Sequence, residues 1–338
     1  MMCSASLGFF CWMIDTPMKP AVIYHVFWRD NGRDAYNDMQ VPVVLAISTL
    51  RAVNPTIPIY VLECGQVRRE WSHFPEKLHF SVVYADFELE KKHHAALHSA
   101  SKSSVVCSRL SDVNEFAKQI PEDLIIYSDA DVFWLRDPLP LDCAGEKRFC
   151  LNNNTGFFYY DKNSSEANWF LDVFQSYLIT SLYNDDFCRR AHKINRWDTG
   201  GMERQRMWLE PCLQMVYKDI PDCCCSISKK EHGFWGCEDP KMFHPAGLNV
   251  EWDGCYHLRG FIPFLMLEFY HLVESVLSES DFKLIYRGYL RFLRSVKKVS
   301  FHDKLFNIAL SKSKSGGKPE FMSAVIKHGG FLPRITFL

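Results

Sequence analysis

The chain has 338 residues, with 39 Lys and Arg against 40 Asp and Glu, so its formal net charge of −1 leaves no global field to draw it to nucleic acid. Hydrophobic residues at 47% and charged residues at 23% exclude a disordered or fibrous chain, and the length suits one large α/β domain with an appendage. Its 13 Cys are scattered, with one run at Cys223-Cys224-Cys225 and no Cys-x-x-Cys pair. That pattern gives a structural zinc site little support and favours free buried thiols of a reducing compartment, with disulfides within 212–255 as the alternative.

Residues 1–14 are apolar and end at Asp15. They are shorter than the ~20 residues of a membrane span and lack the basic start of a secretory signal. The expectation is a packed or interfacial N-terminal segment on a cytoplasmic protein, with membrane association as the alternative. Residues 21–27 read as a first strand, bounded by Pro20 and a polar stretch over 29–34. Helical apolar spacing over 41–53 ends before Asn54-Pro55, and strands follow at 58–62 and 78–84. This alternation predicts a parallel sheet with right-handed crossovers. The stretch 88–104 is polar; His94 and His98 share a helix face, but with no third ligand nearby a solvated face is the better reading. A helix is expected over 104–118.

Residues 124–128 form a short apolar run after Pro121-Glu122-Asp123, the pattern of a strand buried on both faces. Asp129 and Asp131 fall where this strand ends, and in open α/β sheets ligands bind at the carboxyl ends of the strands. Two neighbouring carboxylates repel unless a cation lies between them, and a hard divalent ion is the simplest one. The plain alternative is a polar turn, where Asp is common. Beyond it, 134–140 reads as a turn because Pro138 and Pro140 stop a helix. Strands are expected at 149–151 and 155–160, and a helix over 164–182 with Ser164 or Ser165 as N-cap and Glu166 in its first turn. The stretch 195–205 is a loop leading into a helix. An apolar helix over 264–277 and a basic amphipathic one over 281–299 close the ordered pattern. The latter suits either an anionic membrane surface or a solvated face, and a Lys/Ser/Gly linker follows over 311–319.

The run Asp129-Ala130-Asp131-Val132-Phe133-Trp134-Leu135-Arg136-Asp137-Pro138 resembles the Asp-x-Asp segment of nucleotide-sugar glycosyltransferases of the GT-A fold. It looks closest to the retaining families. Asn154-Thr155-Gly156-Phe157 is similar to the strand that follows in those enzymes, and the likeness covers residues 22–257 with gaps.

The resemblance implies a GT-A (Rossmann-like) α/β fold: a mixed, mainly parallel sheet flanked by helices, over residues 1–263, followed by a C-terminal helical appendage and tail over 264–338. It implies a hexosyl- or pentosyltransferase that takes a nucleotide-sugar donor, with UDP as the family's usual base, and a glycan or glycoprotein acceptor. Mn²⁺ or Mg²⁺ would be held by Asp131 and His257, with Asp129 on the ribose hydroxyls or on the metal through water. Arg109, Asn154, Arg259 and Gly260 would contact the donor; the Lys that some families place beyond that Gly is absent. Asp198, Glu203 and Gln205 are the candidates for the residue that reaches the donor sugar or the acceptor, and the usual Asp-Gln pair is not seen cleanly. Two other readings stay open: a metal-dependent phosphohydrolase, which also places Asp-x-Asp after a strand, and a non-catalytic glycan-binding or scaffold protein.

Overall fold

The computed structural model describes residues 18–28, 40–65, 70–84, 92–93, 109–130, 132–143, 146, 148–151, 156–194, 209–227, 232–233, 242–243, 273–282 and 284–285. The chain opens with strand β1 (Pro20–Trp28), helix α1 (Gln40–Val53), β2 (Ile59–Gly65), α2 (Phe74–Leu78) and β3 (Ser81–Tyr84). Next come α3 (Arg109–Ala117), β4 (Leu124–Ser128), β5 (Phe133–Trp134), β6 (Phe149–Leu151) and β7 (Phe157–Asp161). Helices α4 (Ser165–Tyr183), α5 (Asp185–Ile194) and α6 (Leu209–Asp219) precede β8 (Cys224–Ser226), β9 (His232–Gly233) and β10 (Met242–Phe243).

Seven strands form one sheet in the order β3-β2-β1-β4-β7-β6-β8. The β3-β2-β1-β4 half is parallel, β7 runs antiparallel to both β4 and β6, and β8 is parallel to β6. The expected α/β architecture, a mostly parallel mixed sheet flanked by helices, is therefore what the chain adopts. A small sheet of order β5-β10-β9 lies beside it.

The two-residue period of each strand sorts side chains between two cores. Val22, Tyr24 and Val26 of β1, Leu124 and Ile126 of β4, and Phe157 and Tyr159 of β7 pack with α1. Ala21 and Ile23, Ile125 and Tyr127, and Phe158 and Tyr160 pack on the opposite face with α3, α4 and α6. Burying an aliphatic or aromatic side chain contributes about 1.5–3 kcal/mol, and β4 is buried at all five positions. Helix α4 starts as its sequence requires: the Ser164 hydroxyl accepts the Ala167 N–H at 3.1 Å.

Several elements depart from the sequence reading. Residues 78–80 do not belong to β3: Pro75 favours the first turn of α2, and His79 ends that helix in the left-handed region at φ 50°. The stretch expected as a turn from Trp134 begins with β5, because Met242 and Phe243 pair antiparallel with Trp134 and Phe133. Of the helix expected over 104–118, the described part is α3. Position 273 is helical and a turn follows it over 274–276, while 279–282 and 284–285 are helical. His94, His98, the 1–14 segment, the basic residues after 285 and the linker lie outside the described residues. Among the described residues no helix is long and apolar enough to cross a membrane.

Arg51, 6% exposed, ties α1 to the segments flanking β2 and β3. Its guanidinium donates to the carbonyls of Leu78 (2.7 Å), Ile57 (2.6 Å), Pro55 (3.3 Å) and His79 (2.5 Å). A planar fork of donors suits this divergent set in a way an ammonium does not. Near the chain's C-terminal side, Val273, Leu277, Phe282 and Ile285 enter the α1-side core. Asp281 fastens that segment: it accepts His73 Nε2 at 2.7 Å and is bonded by Lys77 and the Ser278 hydroxyl. Burial pushes its carboxyl up, but the hydrogen bonds from Lys77, Ser278 and His73 outweigh this and hold it well below the usual carboxylate range.

Arg51→Met strips several buried carbonyls of their donor, and we expect a loss of about 3 kcal/mol in urea unfolding, with Arg51→Lys restoring little of it. For Asp281 the folded pKa lies below the unfolded value of about 4, so its contribution is present above that pH and is lost as pH falls towards the folded value. Melting temperatures measured between about pH 6 and pH 3 should fall more steeply for the native chain than for Asp281→Asn.

Candidate functional site

Asp129 follows β4 directly, at the carboxyl end of a central parallel strand, and its N–H donates to the Gly156 carbonyl at 2.8 Å. Strand alternation carries Tyr127 and Asp129 to the α3 side of the sheet. The Tyr127 hydroxyl donates to Asp129 Oδ1 at 2.6 Å, and Arg109 Nη1 reaches the same oxygen at 2.5 Å. The guanidinium lies 5.4 Å from the Tyr127 ring centroid, and that ring stacks on Phe158 at 4.6 Å. The Arg109 and Asp129 side chains are 14% and 20% exposed, so the pair sits where buried scaffold gives way to solvent.

The residues that hold α3 explain how Arg109 gets there. Asp112 lies one turn beyond Arg109 on the same helix face, and its Oδ2 meets His25 Nε2 of β1 at 2.8 Å, with both side chains almost wholly buried. The Tyr160 hydroxyl donates to Asn114 Oδ1 at 3.3 Å. At the other end of α3, Lys162 places its ammonium on the carbonyls of Ala117 and Ile120, where a cation complements the helix C-terminus.

The stretch after Asp131 has architectural duties. Trp134 is 1% exposed; its backbone N–H donates to Thr49 Oγ1 and its indole N–H to the Tyr24 hydroxyl, both at 3.0 Å. Asp137 accepts the Asn54 side-chain amide at 3.0 Å and the Leu139 N–H at 2.9 Å. Val132 is buried with them. These residues pin the chain leaving the acidic pair onto α1 and the turn that follows it. Arg136 is exposed.

Of the residues singled out from sequence, the structure brings Arg109 and Asp129 together. Asp131, Asn154, Asp198, Glu203, Gln205, His257, Arg259 and Gly260 lie outside the described residues. Tyr127, His25 and Asp112 were not singled out. Tyr127 was legible, since a residue two before Asp129 shares its face of a strand; the His25–Asp112 contact joins residues far apart in sequence and had no local signal. Among the described residues, two groups bring three ligand-type side chains within 4.8 Å of one another: Cys143, Cys150 and Cys225, and His25, Cys64 and Asp112. The described cysteines, Cys212 and Cys223 to Cys225 included, form no disulfide.

No family model and no curated protein matches the chain. Solved structures to which it is similar are glycosyltransferases. One is mouse xyloside xylosyltransferase 1, with 12% identity over 68% of this chain and 98% of that one and a TM-score of 0.43. A second is the glycosyltransferase GlyE of Streptococcus pneumoniae, with 16% identity over 80% and 63% and a TM-score of 0.43. A third is the galactosyltransferase LgtC with donor and acceptor sugar analogues, with 12% identity over 80% and 99% and a TM-score of 0.45. At these values the likeness assigns no activity, substrate or residue role to this chain.

A double-mutant cycle tests the central contact. Arg109→Met and Asp129→Asn, alone and together, should give a coupling of about 1–2 kcal/mol in urea unfolding, as expected for a charge-assisted hydrogen bond that is largely out of water.

Proposed function

We propose that the chain is a metal-dependent glycosyltransferase that moves a sugar from a nucleotide-diphosphate donor, a UDP-sugar, to an acceptor hydroxyl of a glycan or glycoprotein, with retention at the transferred carbon. The observation that carries this reading is the carboxylate of Asp129 at the carboxyl end of β4, gripped by Arg109 and Tyr127. It joins an acid of the Asp-x-Asp run to a cation one helix away, at the edge of the sheet where α/β folds bind ligands.

In this reading Arg109 has two duties. It supplies the countercharge that Asp129 needs in a half-buried position, and it presents positive charge where a diphosphate would lie. Because a cation already neutralises Asp129, the direct metal ligands are better sought in Asp131 and His257. Asp129 then binds the ribose hydroxyls or a metal-bound water. A carboxylate at this position fits the oxygen preference of Mn²⁺ or Mg²⁺. When bound, that ion supplies Lewis-acid stabilisation for the charge that develops on the departing diphosphate. Arg259 adds positive charge beside it, Gly260 allows close backbone approach, and Asn154 bonds a sugar hydroxyl. Asp198, Glu203 and Gln205 reach the donor sugar or the acceptor. Retention needs no dedicated base; with inversion, Asp198 or Glu203 would take the acceptor proton.

The phosphohydrolase alternative expects the Asp-x-Asp strand to open its domain. Here β4 follows β1, β2 and β3 and pairs with β1, which favours the transferase.

Thermal unfolding with a panel of nucleoside diphosphates and sugar nucleotides, with and without Mn²⁺, tests the reading. A ligand at about 100 times its Kd adds about 2.7 kcal/mol, so a UDP compound with Mn²⁺ should raise the melting temperature by several degrees and without the metal by far less. Asp131→Ala should lose transfer activity and the metal-dependent shift while its ligand-free melting temperature stays at the native value. Full activity in that variant would refute the assignment, as would stabilisation by simple phosphomonoesters alone.

A further inference from the structure

On the face of the sheet away from Arg109, three cysteines from separate parts of the chain meet. Cys150 of β6 and Cys225 of β8 are register partners on parallel strands, so their side chains stand next to each other on the α1 side. Cys143 comes over them from the segment that follows β5. Its N–H donates to the Tyr159 hydroxyl at 3.2 Å, which anchors it to the sheet. Cys143 Sγ lies 2.8 Å from Cys225 Sγ, and all three sulfurs lie within 4.8 Å of one another. The Glu146 N–H donates to the Cys143 carbonyl at 3.0 Å, and its carboxylate meets Arg148 Nε at 3.0 Å.

Non-bonded heavy atoms rest about 3.5–4 Å apart, so two neutral thiols at the Cys143–Cys225 separation are crowded. A shared covalent bond or a shared cation relieves that. A disulfide would use two of the sulfurs and leave Cys150 beside it, whereas a cation uses all three.

We propose that Cys143, Cys150 and Cys225 form a structural site for a soft divalent cation, zinc, with water in the fourth position. Thiolates select zinc over the hard ions that the carboxylate site at β4 would take. With Zn–S bonds of about 2.3 Å, tetrahedral geometry puts the sulfurs about 3.8 Å apart, within the 4.8 Å over which they already converge. Binding deprotonates the three thiols and releases their protons to solvent. The site would clamp Cys143 and edge strand β8 to β6. It thus fixes the far end of the stretch that leaves the acidic pair.

The test is metal analysis of the full chain purified without chelator. About one zinc per chain should survive dialysis against EDTA that strips Mn²⁺, and should be released by an organomercurial. Cobalt substituted for it should show thiolate-to-cobalt absorption of the intensity of three sulfur ligands. Cys150→Ser and Cys225→Ser should each lose the zinc, and Cys64→Ser, in the other cluster, should keep it. A zinc-free native protein, a Cys143–Cys225 disulfide in peptide maps of alkylated protein, or zinc lost from Cys64→Ser would overturn the proposal. Because the cobalt spectrum is read on the native chain, a variant that fails to fold leaves the test intact. Loss of nucleotide binding would not bear on it.

Discussion

β1 and β4 run side by side in parallel at the middle of the sheet, buried on both faces over 21–24 and 124–128. A strand buried on both faces has to satisfy its polar groups through its neighbours and ends where its apolar residues run out. For β4 that end is Ser128, and the next residue is a carboxylate. The position of Asp129 thus follows from the burial of Leu124 to Ser128: the sheet holds the strand rigid and the acid emerges at its rim. The pleat also decides which neighbours Asp129 meets. It shares a side with Tyr127, and so with α3.

Helix α3 is the second support. It contacts the sheet through two acid–base pairs one turn apart, Asp112 with His25 and Arg109 with Asp129. The first is almost wholly buried and holds the helix against β1; the second lies at the edge of solvent. An Arg side chain has several rotatable bonds, and fixing it costs entropy. The buried pair and the Tyr127 ring reduce that cost by placing the guanidinium before any ligand arrives. Such preorganisation of charge is what the proposed diphosphate site requires.

The opposite face has a different task. Trp134, Asp137 and Asn54 fasten the chain that leaves the acidic pair onto α1. Cys143, a few residues further on, reaches β6 and β8. The acidic segment is therefore held before it by β4 and after it by these anchors.

The amino-acid sequence by itself determined the elements with strong local patterns. The apolar runs at 21–27, 58–62 and 124–128, the spacing over 41–53 and the Ser164 cap each have a physical cause within a few residues, and each lies where the pattern put it. The Asp129 position was legible for the same reason. What the tertiary structure decided were features whose partners lie far along the chain. β5 exists because Met242 and Phe243 reach it, β8 because Phe149 to Leu151 offer it an edge, and α2 displaced the start of β3 through Pro75 and His79. The absence of Cys-x-x-Cys gave a structural zinc site little support, yet β6–β8 pairing brings Cys150 and Cys225 level across two strands. Local spacing fixes helices, turns and strand faces because their forces act over one or two turns. Which strand lies beside which, and hence which side chains meet, is set by burial of the whole sheet.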